Sequence, residues 1–150
     1  MNRLTIELSA LAHNFDQVKA IVGGNTRVMG VVKADAYGHG MVAVAKTLEK
    51  NRVHCLGVAH LHEALELRNR GVSLPIVILC GIRTGGEAQA AVHHELIPTL
   101  FDPALAEVLA AEAARKKTLA RAYIKVDTGM GRLGLLSSEL GAFLNQVTRF

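Results

Sequence analysis

The chain has 150 residues, half of them apolar, and 17 Lys and Arg stand against 13 Asp and Glu for a formal net charge of +4. That length and apolar fraction suffice to bury the core of one domain and exclude a disordered segment. The basic residues are scattered apart from Arg115-Lys116-Lys117, so the clustered stripe of a nucleic-acid surface is absent. The opening residues MNRLTIELSALAHNF lack a basic segment followed by an apolar one, and no apolar run nears the roughly 18 residues of a membrane span. We read the protein as cytoplasmic, with Cys55 and Cys80, which sit in apolar runs without CxxC spacing, as buried thiols in a reducing compartment.

In chain order, RLTIEL alternates as an extended piece. LSALAHNFDQVKAIVGG then predicts a helix, with Ser9 as N-cap, Leu11, Phe15 and Val18 on one face and Gly23-Gly24 as the stop. Strands are expected at 27–33, 55–59, 76–80, 96–100 and 121–127, with helices near 40–50, 61–70, 84–93 and 103–117 between them. Asp102 as N-cap and Pro103 at the first helical position announce the last of these. A final helix in SSELGAFLNQVTRF is expected to be capped by Ser137 or Ser138.

Strands alternating with helices imply a parallel α/β arrangement, because parallel strands need crossover connections. The strand starts recur every 20 to 28 residues, which fits the βα units of a (β/α)8 barrel or a doubly wound sheet. A closed eight-unit barrel takes roughly 250 residues. With room for about five units, the chain is either a complete open sheet or the first part of a longer barrel.

The stretch VMGVVKADAYGHG, residues 28–40, ends an apolar strand on Lys33. An isolated lysine there would simply lie past the strand end and reach water. If the extended conformation persists, however, Lys33, Asp35 and Tyr37 alternate onto one side at the carboxyl end of the strand, the rim where such folds place reactive groups. A desolvated lysine has its pKa lowered and becomes a nucleophile or base. Tyr37 adds a phenolic donor, and Gly38 and Gly40 permit backbone geometry closed to other residues.

VVKADAYGHG resembles the pyridoxal-phosphate lysine motif of the alanine racemases, and YIKVDTGMGRLG, residues 123–134, resembles the later signature of the same family. The resemblance spans essentially the whole chain. It implies a TIM-type (β/α)8 barrel with about five units present, residues 1–150 forming the N-terminal part of the barrel domain without the rest of the barrel or a C-terminal β domain. It also implies interconversion of L- and D-alanine by two bases, supplying D-alanine for cell-wall synthesis. By this resemblance Lys33 holds pyridoxal phosphate and serves as the base on the D-alanine side, and Tyr37 contacts the phosphate. Arg132 contacts the cofactor's phenolic oxygen and the substrate, and Lys125 matches a lysine that many members carbamylate. The opposite base is a tyrosine from the C-terminal domain of the other subunit of a homodimer, and no residue of this chain takes that role. The remaining cofactor contacts would fall past residue 150, so the chain alone is expected to have little or no activity.

Other readings compete with this one. A non-catalytic pyridoxal-phosphate-binding barrel would keep Lys33 but does not usually carry DTGMGRLG; a racemase of broader amino-acid range shares closely similar motifs. A doubly wound binding domain would leave Lys33 as a strand-end lysine. GMGRLG, with Gly129, Gly131 and Gly134, is a literal G-x-G-x-x-G, but at least four strands precede it where a dinucleotide fingerprint follows the first strand of its unit. His54, Cys55, His60, His62 and Glu63 crowd together without zinc-finger or metallohydrolase spacing. CGIRTGGEA lacks the lysine of a P-loop, and His93-His94 read as a helix end. Lys125 and Asp127, on one face of a strand, are open to a plain ion pair.

Overall fold

A computed structural model of the chain describes residues 3–149 and places five strands side by side in chain order. They are β1 (Met29–Val31), β2 (Cys55–Val58), β3 (Ile76–Ile78), β4 (Ile97–Leu100) and β5 (Tyr123–Ile124), and every pairing is parallel. Met29 lies opposite Cys55, Leu56 opposite Ile76, Val77 opposite Ile97 and Thr99 opposite Tyr123. A parallel neighbour has to be reached by a crossover, and the polar-apolar stretches between the strands supply it as helices. These are α3 (Met41–Lys50), α4 (Leu61–Asn69), α5 (Gly85–His93) and α6 (Pro103–Arg115). A helix α1 (Leu8–Val22) precedes β1 and packs on α3; α7 (Leu140–Val147) follows the last strands and packs on α6. No helix among the described residues is long and apolar enough to cross a membrane.

Continuous apolar strands are the mark of parallel sheets covered on both faces. Leu56, Val58, Ile76 and Ile78 are accordingly buried in one cluster with Ala64 and Leu67 of α4, Ala88 and Ala91 of α5 and Leu109 of α6, and Val77 is buried as well. The outer strands differ. β1 pairs only with β2 and β5 only with β4, and apolar side chains stay open there, with Val31 41% and Tyr123 53% exposed. The amino-terminal end of the sheet is tied by Arg68, whose guanidinium donates to the carbonyls of Val72 and Leu74 at 2.8 Å each and of His94 at 3.0 Å.

Helix ends follow the sequence signals where a side chain or a glycine meets the free backbone groups. Asp102 accepts from Ala104 N at 2.9 Å ahead of Pro103, and Gly23 ends α1 with φ +77°. Ser9 is not the N-cap: α1 starts at Leu8 behind Glu7, and the Ser9 hydroxyl donates to Glu7 Oε1 at 2.8 Å. RLTIEL forms no strand over its described residues. Neither Ser137 nor Ser138 caps α7, which begins after Glu139; that carboxylate accepts from Leu136 N at 2.8 Å instead. Cys55 and Cys80 are half-buried free thiols rather than buried ones, since Cys55 opens its strand and Cys80 lies beyond the end of β3.

The expected strand 121–127 divides at Lys125. Its N–H donates to Leu100 O at 2.9 Å, continuing the β4 pairing, whereas its carbonyl accepts from Leu135 N at 2.9 Å. From there β6 (Val126–Asp127) pairs in parallel with β7 (Leu135–Leu136).

Because the core is centred on β3, Ile78→Ala should cost about 2–5 kcal/mol by urea unfolding. Leu119→Ala, at a side chain 92% exposed, should stay within about 0.5 kcal/mol of the parent.

Candidate active site

Lys33 and Tyr37 meet for a different reason from the one their spacing suggested. β1 ends at Val31, and the chain turns at once into a short helix, α2 (Lys33–Gly38), that is left-handed. Ala34, Asp35, Ala36 and Tyr37 have φ between +50° and +55° and ψ between +39° and +52°. Alternation onto one strand face therefore does not occur: Asp35 turns away from the other two. Either hand of helix brings residues four apart into line, and Lys33 Nζ lies 5.9 Å from the centroid of the Tyr37 ring, within reach of a cation–π contact. Lys33 is half-buried, not enclosed, and Tyr37 is 63% exposed.

A left-handed turn costs L-residues roughly 1–2 kcal/mol each, so the surroundings have to hold it. At its start Ala34 N–H donates to Glu63 Oε1 at 2.7 Å. At its end Asp35 Oδ1 accepts from Met41 N at 2.6 Å and Asp35 O from Gly40 N at 2.9 Å, which docks the turn on α3. Inside, Ala36 N–H donates to Val32 O at 2.9 Å, and both residues are buried. The glycines then carry the chain out, Gly38 and Gly40 at φ +86° and +89°.

Glu63 is a buried carboxylate with three N–H donors: Ala34 on Oε1, and Ala59 and His60 on Oε2 at 2.7 Å and 3.1 Å. Burial works against its charge, but the N–H groups of Ala34, His60 and Ala59, together with nearby His62, outweigh burial and hold the carboxyl below its ordinary range. His60 and His62 flank the strand-to-helix turn and stack at 5.8 Å between centroids.

Lys125 and Arg132 stand at the other edge of the sheet. Lys125 is half-buried between β5 and β6, and Arg132 is exposed in the loop from β6 to β7. Asp127 shapes that loop, its Oδ1 accepting from Gly129 N at 2.9 Å and Gly131 N at 3.1 Å. These amides, Gly129 first, keep its carboxyl below the usual value. Asp127 is thus a loop staple and not a partner for Lys125. Gly134 closes the loop at φ +121°, and a Cβ there would stand 2.8 Å from Asp127 N. The ion pairs among the described residues, Lys19–Asp16, Arg83–Glu87 and Arg115–Glu112, include none of Lys33, Lys125 and Arg132. The structure brings Lys33 and Tyr37 together; it places Lys125 and Arg132 on the loop-and-strand segment at the opposite edge, in no described contact with them.

The model of the alanine racemase N-terminal domain matches residues 6–150. The chain belongs to this family. Alanine racemase 1 of Caldanaerobacter subterraneus subsp. tengcongensis is 43% identical over 138 residues, covering 92% of this chain and 35% of that protein. The solved alanine racemase of Clostridium difficile 630 superposes with a TM-score of 0.90 at 32% identity, covering 96% of this chain and 38% of the other. A histidine racemase of Leuconostoc mesenteroides subsp. sake superposes with a TM-score of 0.85 at 28% identity, again covering 96% and 38%. The chain therefore spans little more than a third of the length of these relatives. The five parallel strands with their helices are a portion of the alanine racemase barrel.

As an alanine racemase N-terminal domain, the chain has donors suited to a phosphorylated aldehyde cofactor. An amine stands at the rim beside a phenol on a turn whose Gly38 and Gly40 leave open space around their backbone, and a guanidinium is available from the far edge. Reading the residues alone missed Glu63 as a structural carboxylate, although its position three after His60, at the start of a helix, is the spacing of a capping residue.

A carboxyl that ionises more readily when folded stabilises the fold above the ordinary carboxylate range and loses that contribution as pH falls through it. Glu63→Gln should thus be less stable than the parent by on the order of 1–3 kcal/mol at neutral pH, the gap narrowing towards pH 3. Urea unfolding followed by circular dichroism across that range measures it; a gap independent of pH would refute the assignment.

Proposed function

We propose that this chain forms the lysine side of a pyridoxal-phosphate site in an alanine racemase, the rest of the barrel and a C-terminal β domain belonging to the complete protein. The observation that carries this is Lys33 Nζ set against the Tyr37 ring at the carboxyl rim of the first strand. The open edges of β1 and β5 support a barrel completed by further strands, since exposed edges call for pairing or cover.

In this reading Lys33 Nζ carries the cofactor, Tyr37 donates its hydroxyl to the phosphate and Arg132 directs its guanidinium to the phenolic oxygen. When bound, pyridoxal phosphate withdraws electrons from the substrate Cα and makes its proton acidic. Once the substrate's amino group has taken its place, the released Lys33 Nζ takes that proton from D-alanine, or returns it, on one face. The opposite face requires a second base from outside this chain, a tyrosine of the other subunit of a homodimer, so residues 1–150 alone have little or no racemase activity. Carbamylation of Lys125 would turn a cation into an anion, a partner for Arg132 in keeping with their common segment. We place the enzyme in the cytoplasm, supplying D-alanine for the cell wall. A broader amino-acid range is the second reading, favoured by the likeness to the histidine racemase, whose score differs little from that of the alanine racemase.

The complete gene product, treated with pyridoxal phosphate and borohydride, should yield one dominant adduct whose peptide mass places it on Lys33. Lys33→Ala should lose that adduct and slow exchange of the D-alanine Cα proton with D2O by about 10²–10⁴-fold. An adduct elsewhere would overturn the cofactor site. A Lys33 adduct without racemisation would point to a cofactor-binding protein that does not catalyse.

A further inference from the structure

We propose that Glu63 is a positioning residue for the Lys33 amine: by holding the Ala34 N–H it keeps the left-handed turn that sets Lys33 Nζ against Tyr37. The inference rests on Lys33 being the reacting amine.

Lys33 is bracketed in the backbone. Before it, Val32 N–H donates to Gly57 O of β2 at 2.8 Å; after it, Ala34 N–H donates to Glu63 Oε1 of α4 at 2.7 Å. Both tethers end on the next βα unit, so the Lys33 Cα is fixed from two sides to a single neighbouring unit. The first tether belongs to ordinary sheet pairing and would persist in any conformation of the turn. The second does not: Ala34 is the first residue to enter positive φ, and its N–H is the group that must find an acceptor at the sheet end. Without that acceptor only the Ala36 N–H to Val32 O hydrogen bond at the start of the turn opposes relaxation to the right-handed region that Ala, Asp and Tyr prefer. Relaxation would redirect the Lys33 side chain relative to Tyr37.

Three N–H donors on two oxygens also explain why the acceptor is a carboxylate. Oε2 serves Ala59 and His60 while Oε1 is left for Ala34. A glutamine offers one oxygen and turns an NH2 towards the remaining donors. The carboxylate thus joins the end of β2, the start of α4 and the lysine turn, which a helix cap alone has no need to do.

Two labels, applied to the complete gene product, test this. One is the borohydride-fixed pyridoxal phosphate adduct; the other, independent of any cofactor, is trace acetylation by acetic anhydride. Both are read by peptide mass at Lys33 against Lys50. Glu63→Gln should lower the adduct rate at Lys33 about tenfold, in line with loss of one charge-assisted hydrogen bond, shift its acetylation rate from the parent value by a similar factor, and leave Lys50 unchanged. Adding Ala34→Gly, which keeps the N–H but removes the penalty of positive φ, should restore most of the loss, whereas a residue that merely caps α4 would show neither effect. If E63Q does not fold, Glu63→Asp, with the charge kept and the reach shortened, carries the same comparison. Lys33 labelled as in the parent in a folded variant overturns the positioning role, as does failure of A34G to restore it. Lys33 that ignores pyridoxal phosphate in the parent, yet changes its acetylation rate in E63Q, overturns the cofactor reading and leaves the positioning role in place.

Discussion

Carboxylates that collect backbone N–H groups hold this rim together. Glu63 takes three of them, Asp127 shapes the loop of Arg132 with two, and Asp35 docks the lysine turn on α3. Elsewhere Asp102 caps α6, Glu87 accepts from Arg83 N at 2.7 Å, Glu139 from Leu136 N and Glu49 from Ser73 N at 2.8 Å each. A parallel sheet makes this necessary. Each unit turns sharply from strand to helix, the helix leaves its first N–H groups without partners, and an anion is favoured at that end. Acidic side chains are therefore drawn to the backbone, and among the described residues only Lys19, Arg83 and Arg115 stand in ion pairs with them.

The sequence was most legible where one residue type answers one geometric need. Apolar runs read as buried strands because β2, β3 and β4 are covered on both faces, and Asp102-Pro103 read as a helix start because a carboxylate and a missing N–H suit that position. It was least legible in ADAY. Alanine, aspartate and tyrosine have no propensity for four successive positive φ values, and the turn exists because of partners at Glu63, Met41 and Val32. Tertiary contacts overrode local preference there. The pairing of Lys33 with Tyr37 was foreseen from an alternating strand, and the outcome arose from an i, i+4 relation instead.

The second motif shows the same division. YIKVD is recognisably extended, but its change of partners at Lys125 depends on where Leu135 returns, beyond the intervening loop and invisible to any local pattern. Gly134 is the trace of that return, since only a residue without Cβ can pass so near Asp127 N. What looked like a nucleotide-binding spacing of glycines is a loop folded around one aspartate.

Each strand of the main sheet lies beside the strand made just before it. During synthesis the sheet can then grow at one edge only, every new strand finding its partner already in place and closing a short loop. Lys33 and Glu63 are brought together by the first two units, early in this growth, while the segment with Lys125 and Arg132 comes several units later. Both backbone tethers around Lys33 can thus form before the opposite edge of the sheet exists.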